Sequence, residues 1–161
     1  MGRIHDAVRQ GKTGEVNKIL DEDENFDLNE PDEEGRSALH HAALANEAAC
    51  GGYIIELGAD VNKLDKEGNS ALHLAATKNA KLAASMLLWG GAERNEKNTN
   101  GETPLHLCAA HNAAHVAWLI IENGGEEGKE IPDAKGRTPI EIARQTGSAK
   151  VLAVLEGGEP E

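Results

Sequence analysis

Large aromatic rings are almost missing from this chain. Phe26, Tyr53, Trp89 and Trp118 are the only ones among 161 residues, 2% of the total. A core built on stacked rings is therefore excluded, and packing must rely on Ala, Leu, Ile and Val in thin layers. Cysteine is scarce too. Cys50 and Cys108 are too few for a disulfide framework, and they fit a reducing compartment. No apolar run reaches the roughly 18 residues that would span a bilayer. No hydrophobic segment of the signal-peptide kind follows the N-terminus. "MGRIHD" has the Gly2 of a myristoylation site but Asp6 where Ser or Thr is needed. A soluble cytoplasmic or nuclear protein is expected, with no membrane association.

Positive charge is also short. Sixteen Lys and Arg face 28 Asp and Glu, for a formal charge of −12. Such a surface repels phosphates, so nucleic acid is not an expected partner. A protein with a basic surface fits better. The imbalance is uneven: residues 1–64 hold 14 acids and 6 bases, a net −8, and residues 65–161 hold 14 and 10, a net −4.

Self-similarity is what the chain has in quantity. "EEGRSALHHAALAN" (33–46), "KEGNSALHLAATKN" (66–79), "TNGETPLHLCAAHN" (99–112) and "AKGRTPIEIARQTG" (134–147) align without gaps. Gly35, Gly68, Gly101 and Gly136 are spaced 33, 33 and 35 residues apart. "IHDAVRQG" (4–11) fits the same frame. A second block, "ELGADVN" (56–62), "WGGAERN" (89–95) and "ENGGEEG" (122–128), repeats in phase.

Each column has a physical reading. The glycines follow two polar residues, as tight turns want. Ser37, Ser70, Thr103 and Thr138 suit helix N-caps, whose hydroxyl can accept an orphan backbone N–H. Pro104 and Pro139 then stand at the first helical position, where no N–H is needed. Leu39, Leu72, Leu105 and Ile140 follow, with small residues three and four further on. Gly11, Asn46, Asn79, Asn112 and Gly147 end this helix, and only Gly and Asn visit the left-handed region cheaply. A second helix follows, and Gly58, Gly91 and Gly124 stop it.

These motifs resemble the ankyrin repeat, most closely in "NGETPLHLCAA" and "LGADVNKLD", over roughly residues 3–156. The resemblance implies an all-α solenoid of antiparallel helix pairs joined by β-hairpin-like loops. About five repeats are expected: a cap (1–31), three fuller repeats (32–64, 65–97, 98–132) and a C-terminal cap and tail (133–161). Met1 and Gly2 fall where the first turn of a cap begins, so no preceding tail is expected. Two insertions, around 21–25 and at 125–130, are expected in inter-repeat loops. Gly51 and Gly52 fall inside a second helix, at about 1 kcal/mol each relative to Ala, which predicts the weakest internal helix.

Several apparent active-site fragments dissolve in this frame. His40, His73 and His106 form one column. A solenoid holds equivalent residues about 10 Å apart, too far for one metal. The resemblance gives them a structural role, bonded to neighbouring backbone. His111 and His115 are four apart, but Asn112 ends a helix between them. "GKTG" (11–14) lacks the earlier glycine of a phosphate loop. "DEDENFDLNEPD" (21–32) places Asp21, Asp23, Asn25 and Asp32 like calcium ligands, yet Phe26 stands where that loop needs glycine. Cys50 and Cys108 fall in apolar columns and are expected to be buried, unreactive thiols. No catalytic residue, metal or cofactor is assigned.

What remains is recognition. The resemblance implies a non-catalytic scaffold, monomeric, that meets a partner protein through hairpin tips and the concave face of the first helices. The alternative is a regulatory or substrate-targeting segment of a larger enzyme or signalling protein. Matching tip positions are Glu33, Glu34 and Arg36, then Lys66, Glu67 and Asn69. Thr99, Asn100 and Glu102 follow, and Lys135 and Arg137 end the series. On the first helices the positions are His41, Thr77, Lys78, His111 and Arg144. Trp89 and Trp118 stand on second helices in columns usually polar, as contact residues or as packed ones. Asn62 and Asn95 occupy the column that some family members present for asparaginyl hydroxylation.

Overall fold

The computed structural model describes residues 2–161; Met1, at the start of the expected cap, lies outside them. Among the described residues there are ten α-helices and no strand. They come in five antiparallel pairs: α1 (Arg3–Arg9) with α2 (Thr13–Glu22), α3 (Ala38–Ala45) with α4 (Ala48–Glu56), α5 (Ala71–Lys78) with α6 (Lys81–Trp89), α7 (Pro104–His111) with α8 (Ala114–Ile120), and α9 (Pro139–Thr146) with α10 (Ala149–Leu155). First helices pack in one layer, α1 on α3 on α5 on α7 on α9. The second helices α4, α6, α8 and α10 pack in another. The core between the layers is built from Ala, Leu, Ile and Val with Cys50 and Cys108 among them. Small residues let helices of seven to ten residues approach closely enough to share it.

Each first helix stops for a stated reason. Asn46, Asn79 and Asn112 have φ of 54°, 49° and 53°, and Gly11 and Gly147 have 67° and 71°. The asparagines do a second job that spacing could not reveal. The Oδ1 of Asn46 accepts the Ala83 N–H at 3.0 Å, that of Asn79 the Val116 N–H and that of Asn112 the Val151 N–H, both at 3.3 Å. Those donors lie in the first turns of α6, α8 and α10, whose own cap residues Ala80, Ala113 and Ser148 supply no side-chain bond. One asparagine thus ends a helix in its own repeat and caps a helix in the next. Asn79→Gly keeps the left-handed backbone and loses the cap, at an expected cost of about 1 kcal/mol. Asn79→Ala adds the left-handed penalty, for about 2–3 kcal/mol in urea unfolding. Equal losses for the two variants would remove the inter-repeat role.

The glycine pair in α4 divides into two cases. A Cβ on Gly51 would stand 2.5 Å from Met86 Sδ and 3.2 Å from the Ala42 Cβ. Met86 of α6 fills the space that glycine leaves, so this residue is a packing requirement. A Cβ on Gly52 meets only Met86 Cγ, at 3.8 Å. Gly52→Ala is therefore expected to raise stability by about 0.5–1 kcal/mol through helix propensity. Gly51→Ala should lower it, because Met86 must move. Thermal melts of the two variants should shift in opposite directions.

The segment at 125–130 is not the loop that its sequence suggested. Beyond α8 the chain kinks at Asn123 and Gly124, where the backbone is not helical and Gly124 takes φ +94°, and then makes a 3-10 turn over Glu126–Glu130. Gly128 is buried against Asn95 and Leu105, where a Cβ would lie 2.5 Å from Asn95 Oδ1. The extra residues thus pack onto the previous repeat. At the other insertion the chain is irregular after Glu22. Asp23 and Asp27 there accept the N–H groups two residues on, at 3.0 and 2.8 Å. Asp32 is committed to its own turn and to His41. Among the described residues no three His, Cys, Asp or Glu side chains come together as metal ligands.

Candidate partner-binding surface

The hairpin tips are built from an aspartate or asparagine at their base. Oδ1 of Asp32, Asp65, Asn98 and Asp133 each accepts the N–H groups two and four residues ahead, at 2.8–3.0 Å. The same residues close each loop by donating their own N–H to the carbonyl four ahead, as Asn98 does to Glu102 at 2.9 Å. Successive tips then join. Lys66 N–H donates to Glu34, Thr99 N–H to Glu67 and Ala134 N–H to Asn100, each at 3.0 Å. The expected β-hairpin-like loops are thus a hydrogen-bonded row of four tips. At the last of them burial pushes the Asp133 carboxyl up. The Arg137 backbone and guanidinium and the Lys135 N–H overcome this and bring it down to about 2.

Histidines brace the row from beneath. Nδ1 of His40, His73 and His106 accepts the backbone N–H of Ser37, Ser70 and Thr103 at 3.0–3.1 Å. Nε2 then donates to the carbonyls of Asn69, Glu102 and Arg137 in the next tip, at 2.9–3.0 Å. An N–H pointing at Nδ1 requires that nitrogen to be bare, so the ring is held neutral with its proton on Nε2. Burial pushes all three pKa values below the ordinary histidine value. The cap hydroxyls serve N–H groups of the first turn as expected, Ser70 and Thr138 at 3.4 Å, and those of Ser37, Ser70 and Thr103 also face these rings at 2.8–3.0 Å. Two further residues stand in this column at its ends, His5 and Glu141. His5 makes the same bonds, from the Gly2 N–H and to the Glu30 carbonyl. Glu141 closes its capping box by accepting the Thr138 N–H at 2.7 Å, and bridges to no further tip.

On this frame most of the candidate contact residues reach solvent. Glu33, Glu34, Lys66, Glu67, Thr99, Asn100 and Lys135 are exposed at the tips, and Lys78, His111 and Arg144 on the first helices. Arg36, Glu102, Arg137 and Thr77 are half-buried. Two are corrected by their burial. His41 is 6% exposed and donates from Nε2 to Asp32 Oδ2 at 2.7 Å, with its ring against His5. Asn69 is also 6% exposed, held between Asp65 and Asn98. Neither presents a side chain to a partner.

The structure also separates the tryptophans. Trp118 packs partly against the core, and Trp89 is exposed. Asn62 accepts the Glu93 N–H at 2.8 Å, and its counterpart Asn95 has a buried Oδ1 with no partner, because the 125–130 insertion displaces the next loop. Cys50 and Cys108 are buried, and burial raises both thiols above their ordinary value. His111 and His115 lie on different helices, as Asn112 between them requires. Among the described residues no helix is long and apolar enough to cross a membrane.

Comparison with curated proteins gives no match. The family model for ankyrin repeats, in three copies, matches residues 4–93 and 78–159. With paired helices, braced hairpin tips and this match over nearly the whole length, the chain belongs to the ankyrin repeat family.

Proposed function

We propose that the chain is a non-catalytic protein-recognition module that binds a partner along its hairpin tips and the exposed edge of α3, α5, α7 and α9. The observation that carries this reading is the rigid row of tips. Backbone bonds and buried histidines hold exposed polar side chains in fixed register, so little ordering entropy is lost on binding. Charge runs along the row. Glu33 and Glu34 occupy the first tip, Lys66 and Glu67 the second, and Lys135 the last. A partner whose basic end lies on the first tip fits this gradient.

Immobilised chain should capture such a partner from a native extract, to be identified by mass spectrometry. With that partner in hand, Glu33→Lys with Glu34→Lys should weaken binding about tenfold or more at low salt and flatten its salt dependence. Unchanged affinity and salt dependence would contradict the proposed polarity.

A further inference from the structure

We infer a second docking surface on the opposite side of the molecule, across the outer face of α6, for a basic amphipathic segment of a partner protein. The exposed stripe of α6 is Lys81, Leu82, Ser85 and Trp89. Leu82 is 59% exposed and Trp89 73%, the largest exposures of any bulky apolar side chains among the described residues. They are seven residues apart, so two turns of helix bring them onto one face. The repeat frame puts an acid in the column of Trp89 on each side. Glu56 and Glu122 occupy its column in the adjacent repeats, both exposed. Helix packing sets these columns about 10 Å apart. The ends of α4 and α6 approach closely, since a Cβ on Gly90 would lie 3.1 Å from Ile55 Cδ1. Trp89 and Glu56 are the last residues of two parallel helices, whose C-terminal carbonyls add partial negative charge.

A bare indole between two carboxylates suits a Lys or Arg side chain. Its stem can lie on the ring, and its charge meets the ring face and the acids. Leu82, one helix length away beside Lys81, suits an apolar side chain. The charge of the patch therefore orients the occupant with its basic end over Trp89. The face lies on second helices, remote from the tips, so the inference stands apart from the reading above.

The probe is a Leu- and Lys-containing amphipathic peptide about 18 residues long, enough as a helix to cover the two turns from Leu82 to Trp89 with its Lys residues at the Trp89 end. Its control has Glu in place of each Lys. Calorimetry on the unmodified chain measures binding, and Trp89 emission in the Trp118→Phe chain reports its place. The basic peptide should bind and move that emission. Trp89→Ala should weaken it about tenfold, and Leu82→Ala about fivefold. Glu56→Gln with Glu122→Gln should weaken it severalfold and reduce its salt dependence. Glu33→Lys with Glu34→Lys should leave the affinity unchanged, which separates this face from the tips. Equal binding of the acidic peptide, or full affinity in Trp89→Ala, would overturn the inference. A Trp89-dependent dimer in sedimentation would overturn it too, by making a second copy the occupant.

Discussion

Moving from about pH 7.5 to about pH 5.5 is expected to lower folding stability, through the three buried histidines of the column. His40, His73 and His106 have folded pKa values below the ordinary 6.5, chiefly because they are buried. Above 6.5 both folded and unfolded rings are neutral, and their contribution is fully present. Below it the unfolded chain takes up protons that the folded chain refuses, so stability falls with pH until the folded pKa is reached. Each ring then costs up to about 1.4 kcal/mol per pH unit, and three act together.

A proton on Nδ1 would face the N–H of Ser37, Ser70 or Thr103, which is why the structure resists it. The aspartates act in another window. Asp133, at about 2, contributes stability above its ordinary 3.8 and loses it as pH falls toward 2. Urea midpoints should therefore drop between about pH 7.5 and about pH 5.5, and His73→Gln should remove about a third of the drop. That variant should also cost about 2–3 kcal/mol at neutral pH, because the Ser70 N–H and the Glu102 carbonyl lose a buried partner. A flat profile would show that the rings titrate without breaking the brace.

Gly101→Ala is expected to be the most damaging methyl addition in the tips. Its φ is +71°, and a Cβ there would lie 2.7 Å from the Ala134 backbone nitrogen. That nitrogen donates to Asn100 and links the third tip to the fourth. Backbone cannot yield as a flexible side chain can, so the link must open. Left-handed alanine costs about 1–2 kcal/mol, and the lost tip-to-tip bond and clash bring the total to about 3 kcal/mol. Gly136 is the internal comparison. Its φ is +77°, and a Cβ there meets nothing within 4 Å. Gly136→Ala should show only the left-handed part, and chemical denaturation of both variants separates the two terms. Equal losses would mean that tip-to-tip approach does not contribute.

Much of this was legible in residue order because repeat proteins are nearly one-dimensional. Each helix start and stop is a local matter of caps, proline and left-handed residues. Thr103, Pro104 and Asn112 could therefore be read in place. The structural role of the histidine column at 40, 73 and 106 came from the ankyrin resemblance, and local preference showed only that the three stand in one row. His41 and Asn69 were misjudged because exposure depends on a neighbouring repeat. His41 meets His5 of the preceding repeat and Asp32 at the base of its own tip, and Asn69 meets Asn98 of the following repeat. His5 stands in the same frame, 35 residues before His40, and only the packed stack shows that its acceptor is the Glu30 carbonyl, 25 residues on instead of the 29–31 of the others.

Order along the chain by itself determined the repeat, its phase and the helix pairs, since each follows from local conformational preference repeated in register. The packed stack alone decided which side chains face a neighbour. Only there does Asn79 cap the next repeat's helix, Gly51 make room for Met86, and residues 126–130 coil onto Asn95. There too Trp118 sinks toward the core and Trp89 stays bare. The physical reason is distance in sequence. Contacts more than 30 residues apart are set by how helices pack, and no local preference encodes them.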